Sequence, residues 1–164
     1  MTERSNYITA EGEQRLRDEL KFLWKTERVE VTKRVSDAAK EGDRSENAEY
    51  IYSKKRLREI DRRIRYLTQR LDKIVRVEQL PSQQDKIFFG AWVYIKNEDG
   101  EQRKYRIVGT DEFDMLPQYI SIDAPMARAL LGKSEGDEIE LNLPSGIQYW
   151  TVSQIEYLQP FRPI

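Results

Sequence analysis

Three carboxylates stand at three-residue steps, Asp43, Glu46 and Glu49, in the run Gly42-Asp43-Arg44-Ser45-Glu46-Asn47-Ala48-Glu49-Tyr50. The chain contains no histidine and no cysteine, which excludes an imidazole base, a thiol nucleophile and a Cys/His zinc site. Any metal or acid–base chemistry must therefore come from carboxylates, and grouped acid oxygens suit a hard cation such as Mg2+. The same residues also read as helix punctuation. Gly42 can close one helix in a left-handed conformation, and Asp43 can cap the next, with Glu46 completing a capping box. Weighing the two requires the elements on either side.

Downstream, Leu57, Ile60, Ile64, Leu67, Leu71 and Ile74 recur in alternating steps of three and four. This is an a/d heptad seam and predicts a coiled-coil helix. Extended backwards, the register puts Tyr50 on the seam and carries Asp43 and Glu46 to its extreme end. Upstream, Leu16, Leu20, Leu23/Trp24, Val31, Val35 and Ala38 form a second stripe after Thr9, a candidate N-cap. Its 11-residue step from Leu20 to Val31 predicts a local drift of the seam, as a stutter produces. Only Lys40-Glu41-Gly42-Asp43-Arg44-Ser45 separates the stripes, so the helices must fold back as an antiparallel hairpin. Ala38 is then expected opposite Tyr50, Val31 opposite Leu57 and Trp24 opposite Ile64. Arms of ~30 residues make a rod of roughly 45 Å, with the acids at its tip.

Of the 164 residues, 35% are charged and 38% hydrophobic, too charged for one large core. Residues 1–80 hold 20 Lys/Arg against 16 Asp/Glu with two glycines and no proline, whereas residues 81–164 hold 8 against 13 with six glycines and six prolines. A helical domain, 1–80, is therefore expected before a turn-rich one, 81–164, and the charge asymmetry points the first half toward nucleic acid or another polyanion. The second half reads as strands at 88–95, 105–108, 119–122, 138–143 and 147–158, with a short helix from Pro125 to Leu131. The fold class is thus α+β: a helical hairpin followed by an antiparallel sheet of about five strands carrying one helix. No apolar run approaches the ~20 residues of a membrane span, and a soluble, cytoplasmic monomer is expected.

The tip run, continuing through Lys54-Lys55-Arg56-Leu57-Arg58-Glu59-Ile60-Asp61-Arg62-Arg63, resembles the bacterial transcript cleavage factors of the GreA/GreB family, and more closely its GreB branch. Tyr7-Ile8-Thr9-Ala10-Glu11-Gly12, Phe88-Phe89-Gly90-Ala91-Trp92-Val93 and Ile120 to Leu131 resemble other parts of that family, so the likeness covers about Tyr7 to Leu158. Glu13 is a departure, where members often carry an aromatic residue. The resemblance implies a C-terminal domain of FKBP-like fold that binds the rim of RNA polymerase's secondary channel. It implies a coiled coil inserted toward the active centre, where the factor stimulates cleavage of the 3′ end of backtracked RNA. Asp43 and Glu46 carry over as the acids of the tip. Asp43 would help hold a second Mg2+ shared with the polymerase, and Glu46 would orient or deprotonate the attacking water. Ser45, Asn47, Glu49 and Tyr50 would support them. On this reading the chain is an accessory factor and not an enzyme.

Residues 50–78 hold ten Lys/Arg against four acids. Lys54, Lys55, Arg56, Arg58, Arg62, Arg63 and Arg65 make a basic patch that reads either as a solvated coiled-coil face or as a guide for phosphates. The resemblance implies the 3′ segment of the nascent RNA as its ligand. Ile122, Asp123, Pro125 and Met126 are the expected polymerase contact, against the alternative of a helix cap and core packing. The aromatic residues of the second half are expected as core and cross-strand pairs rather than a ligand pocket. Two other readings compete. A secondary-channel regulator without cleavage would not need the acid pair, and a coiled-coil chaperone or adaptor would need exposed apolar residues at the tip.

Overall fold

The computed structural model describes residues 3–42, 47–78 and 80–158. Contacts divide the chain into two compact units, one of Glu13–Ile74 and one that unites the segment ending at Gly12 with the chain from Val75 onward.

The first unit is a helical hairpin. Helix α1 (Ala10–Phe22) passes through a π-helical turn (Leu23–Glu27) into α2 (Arg28–Ala39), and α3 (Ala48–Lys73) returns beside it. The buried seam is Leu16, Leu23, Val31 and Ala38 on one arm and Ser53, Ile60 and Leu67 on the other. Its steps are 7, 8 and 7 on the first arm but 7 and 7 on the second. The π-turn reconciles them. The Arg28 N–H donates to the Leu23 carbonyl, five residues back, so the wider turn absorbs the extra residue and the eighth position regains the seam. The drift expected between Leu20 and Val31 is thus a π-turn. Its cost falls on Trp24, which leaves the seam expected for it opposite Ile64 and is 56% exposed.

Charge pairs tie the arms on both flanks of the seam. Arg56 reaches Glu27 through Nε at 2.8 Å, Arg63 grips Glu19 with Nε and Nη2 at 2.7 and 2.8 Å, and Arg28 Nε meets Asp61 at 2.7 Å. These are the coiled coil's flanking ion pairs, which set partner and orientation.

The second unit holds a five-stranded sheet in the order β5-β4-β3-β7-β6, built from β3 (Trp92–Lys96), β4 (Gln102–Val108), β5 (Tyr119–Ser121), β6 (Glu138–Leu143) and β7 (Gly146–Glu156). The sheet is mixed rather than antiparallel throughout, because β5 returns beside β4 in the same direction after the connection 109–118. The first strand begins at Trp92, later than expected. Phe88 to Ala91 instead turns, the Ala91 N–H bonding the Phe88 carbonyl and Gly90 taking φ 87°. Helix α4 (Pro125–Leu130) lays Ala127 and Leu130 on a core of Val93, Ile95, Ile107, Trp150 and Val152.

A second, two-stranded sheet was not legible in the pattern. There β1 (Tyr7–Ile8) pairs in parallel with β2 (Val75–Arg76). Glu112, fully buried, holds this N-terminal segment. Its Oε2 accepts from the N–H groups of Thr9 at 2.7 Å and Gly109 at 3.2 Å, and its Oε1 accepts from the Thr9 hydroxyl. Thr9 Oγ1 in turn accepts from the Gly12 N–H at 3.1 Å and so caps α1, as its position suggests. A Cβ at Gly109 would sit 2.2 Å from the Tyr7 carbonyl oxygen, so only glycine fits there.

Candidate functional site

Helix α3 starts at Ala48, and its cap is Asn47. The Asn47 Oδ1 accepts from the Tyr50 N–H at 3.1 Å, while its Nδ2 donates to the Ala38 carbonyl at 2.7 Å. One side chain thus satisfies an orphan donor at the start of α3 and gives a further donor to the Ala38 carbonyl, which also accepts from the Glu41 N–H at 3.1 Å. The capping role weighed for Asp43 and Glu46 belongs to Asn47. Asp43, Arg44, Ser45 and Glu46 lie outside the described residues. Of the supporting residues, Tyr50 is half-buried, and Glu49 is exposed with its Oε1 accepting from Ser53 Oγ at 3.2 Å. Among the described residues no three Asp or Glu side chains group closely enough to hold a metal ion.

The donor set 43–49 nevertheless suits Mg2+. Its ionisable members besides Arg44 are the carboxylates Asp43, Glu46 and Glu49, hard oxygen ligands with no nitrogen or sulfur competitor. Two or three carboxylates leave much of a six-oxygen shell unfilled, which suits a cation shared with another macromolecule.

The basic patch splits in two. Arg56 and Arg63, seven residues apart, are committed to Glu27 and Glu19, and Arg70, the next in that series, is buried. The hydrogen bond and charge of Glu27 hold the Arg56 guanidinium above its ordinary pKa. This stripe is structural. Lys54, Lys55, Arg58, Arg62 and Arg65 are exposed, and among the described residues none of them meets a carboxylate. Five cations on the outer face of one helix can attract a polyanion without first breaking an ion pair.

In the second unit the expected contact residues are contiguous but differ in access. Ile122 and Met126 pack on the core, Asp123 is half-buried, and Pro125 is exposed at the first position of α4. Asp123 does not cap α4; its Oδ2 accepts from the Ser5 N–H at 2.8 Å. Sequence reasoning missed Asn47 as the cap and Glu112 as the N-terminal anchor. The N-cap preference for asparagine could have found the first; a partner 103 residues away could not be read from spacing.

Comparison with known proteins supplies the family. A family model described as Transcription elongation factor, GreA/GreB, C-term matches residues 82–157, and one described as Transcription elongation factor, N-terminal matches residues 6–75. The Pasteurella multocida (strain Pm70) protein named Transcription elongation factor GreB is 60% identical over 154 residues, covering 94% of this chain and 98% of the relative. The protein of that name from Yersinia pestis is 55% identical over 158 residues, covering 96% and 92%. A solved structure titled Structure of the transcription factor Gfh1 shares 27% identity over 94% of this chain and 99% of its own, with a TM-score of 0.45. On the family matches and the near full-length identity, the chain belongs to the GreA/GreB family of transcription elongation factors, accessory proteins that stimulate transcript cleavage by RNA polymerase and are not themselves enzymes.

Proposed function

We propose that this chain is a GreB-type factor that enters the secondary channel of RNA polymerase and rescues backtracked complexes by promoting cleavage of the RNA 3′ end. The hairpin, within residues 1–80, carries the acids, and the domain from residue 81 onward docks on the channel rim through Ile122 to Met126, Pro125 being its exposed point. Asp43 and Glu46 are the acids lent to the polymerase. Asp43 holds the Mg2+ jointly with the polymerase, and Glu46 orients the attacking water and accepts its proton. When bound, the cation neutralises charge that develops on the phosphate oxygens. Lys54, Lys55, Arg58, Arg62 and Arg65 guide the extruded RNA, with Arg56 and Arg63 bracing the helix beneath them. The chain works as a monomer in the cytoplasm.

The observation that carries this reading is Asn47. Because Asn47 is the N-cap of α3, the start of that helix does not require Asp43 or Glu46, which leaves the acid pair available to a partner. The test is to add the protein to a polymerase complex stalled with its RNA 3′ end misaligned. A shortened transcript that then resumes extension is expected, and an unchanged transcript despite bound factor would leave a channel regulator without cleavage.

One observation favours a second reading. Ile51 and Tyr52 are 52% and 65% exposed in the first turns of α3, as an apolar client-binding tip would require. Suppression of aggregation of an unfolded client by the hairpin, lost in Tyr52→Lys, would support it.

A further inference from the structure

The π-turn does more than restore the seam. By rotating Leu23 inward it leaves Trp24 outside, beside a groove of about 410 Å3 that runs along the flank of the hairpin. Leu20, Ile64 and Leu71 line it, and Trp24 forms a wall. The indole is not loose. The Arg28 guanidinium lies 5.6 Å from the ring centroid while Nε of the same side chain is held by Asp61. An aromatic wall fixed in advance loses little conformational freedom when something docks against it.

The charged residues that line the groove are of one sign. Its lining includes Arg17, Lys21 and Lys25 and no acid. Arg17 is paired with Glu13, whereas among the described residues Lys21 and Lys25 have no carboxylate partner. An aliphatic floor under a cationic rim matches an amphipathic helix that presents apolar anchors flanked by carboxylates. A nucleic acid would meet the lysines but would leave the floor of Leu20, Ile64 and Leu71 without apolar partners.

We propose that the groove beside Trp24 docks an acid-bearing amphipathic helix of RNA polymerase, giving the hairpin a protein contact of its own. An apolar side chain of that helix sits between Trp24 and Ile64, and its carboxylates meet Lys21 and Lys25. The inference rests on the reading above that polymerase is the partner. π-Turns recur at functional sites because the inserted residue re-aims a side chain, and here the re-aimed side chain is Trp24.

The test compares the full-length wild type, Trp24→Glu and the double variant Lys21→Glu/Lys25→Glu for binding to core polymerase and for cleavage in stalled complexes. Circular dichroism should show the same helix content in all three, since each side chain is exposed. Trp24→Glu is expected to raise the Kd about tenfold or more, the scale of one lost aromatic anchor. Its cleavage should return to the wild-type rate at saturating protein. The lysine reversal should weaken binding in low salt and approach the wild type in high salt. Unchanged binding by both variants would overturn the groove. So would a defect confined to crosslinking of the RNA 3′ segment, or a wild-type dimer that Trp24→Glu dissociates. A wild type that neither binds nor stimulates cleavage would instead overturn the reading of the partner itself.

Discussion

Asp43→Asn and Glu46→Gln should each reduce stimulated cleavage by about 10²-fold or more, the range for removing a positioned acid or base. Polymerase affinity should be unchanged, measured by competition against labelled wild type; full cleavage by both variants would return the acids to a structural role. Asn47→Ala makes the opposite kind of change, costing about 1 kcal/mol in denaturant unfolding because it removes the cap of α3, while the Ala38 carbonyl keeps its bond from the Glu41 N–H. Glu112 gives a pH dependence. Burial raises its pKa above the ordinary carboxyl value despite the bonds from Thr9 and Gly109, so the folded state holds a proton that the unfolded state releases more readily. Its contribution is therefore full at pH below the ordinary carboxyl pKa and declines as pH rises through the raised value. Glu112→Gln should flatten that decline, because its amide can donate to Thr9 Oγ1 while its oxygen takes both N–H groups. Glu112→Ala, which leaves three donors without an acceptor, should cost about 3 kcal/mol at any pH. Thr9 was legible because a cap acts three residues away; Glu112 was not, because nothing local requires a carboxylate there.

At the scale of the helix, the heptads of α3 could be read directly, since Ile60 and Leu67 bury fully where the pattern puts them. The basic face could be read from spacing as two stripes, Lys55, Arg58, Arg62 and Arg65 on one and Arg56, Arg63 and Arg70 on the other, but their roles could not, because only the facing acids Glu19 and Glu27 mark the second as structural. The division has different consequences for charge reversal. Arg56→Glu with Arg63→Glu should lower stability by about 1–2 kcal/mol, since two interhelical pairs become repulsive. Arg58→Glu with Arg62→Glu should leave the thermal midpoint nearly unchanged, yet weaken crosslinking to the extruded RNA. The latter pair should slow cleavage of long backtracked tails more than tails of two or three nucleotides, and added salt should erase the wild type's advantage. Equal losses on long and short tails would show that this face is no RNA track. Deleting Thr26, one residue of the π-turn, restores a seven-residue step from Leu23 to Val31. Helicity and melting temperature should be kept or raised while the groove beside Trp24 is lost. A fall in helicity would mean that the extra residue is needed by the seam itself.

For the molecule as a whole, the composition break at residue 80 separates hairpin from sheet by pattern, but the first residues of the chain join the unit at the other end of the sequence. Arg4 pairs with Asp111, the Ser5 N–H bonds Asp123 and Thr9 bonds Glu112. A fragment beginning at Val75 should therefore melt at least about 10 °C below the same fragment with residues 3–12 linked to it. The linked form should compete with the full chain for polymerase and stimulate no cleavage; failure to compete would place the binding surface on the hairpin. The Thr9–Glu112 pair also bears on biosynthesis. Thr9 leaves the ribosome 103 residues ahead of its acceptor, a wait of about 5–20 s at 5–20 residues per second. Within that interval the whole hairpin, which ends at Ile74, emerges and is free to form, whereas the Thr9 amide has only water as partner. The Thr9 amide thus waits for its acceptor until residue 112 has emerged. The same 103-residue separation delays the pair in refolding, so pulsed hydrogen exchange should show the Thr9 amide protected after those of α3.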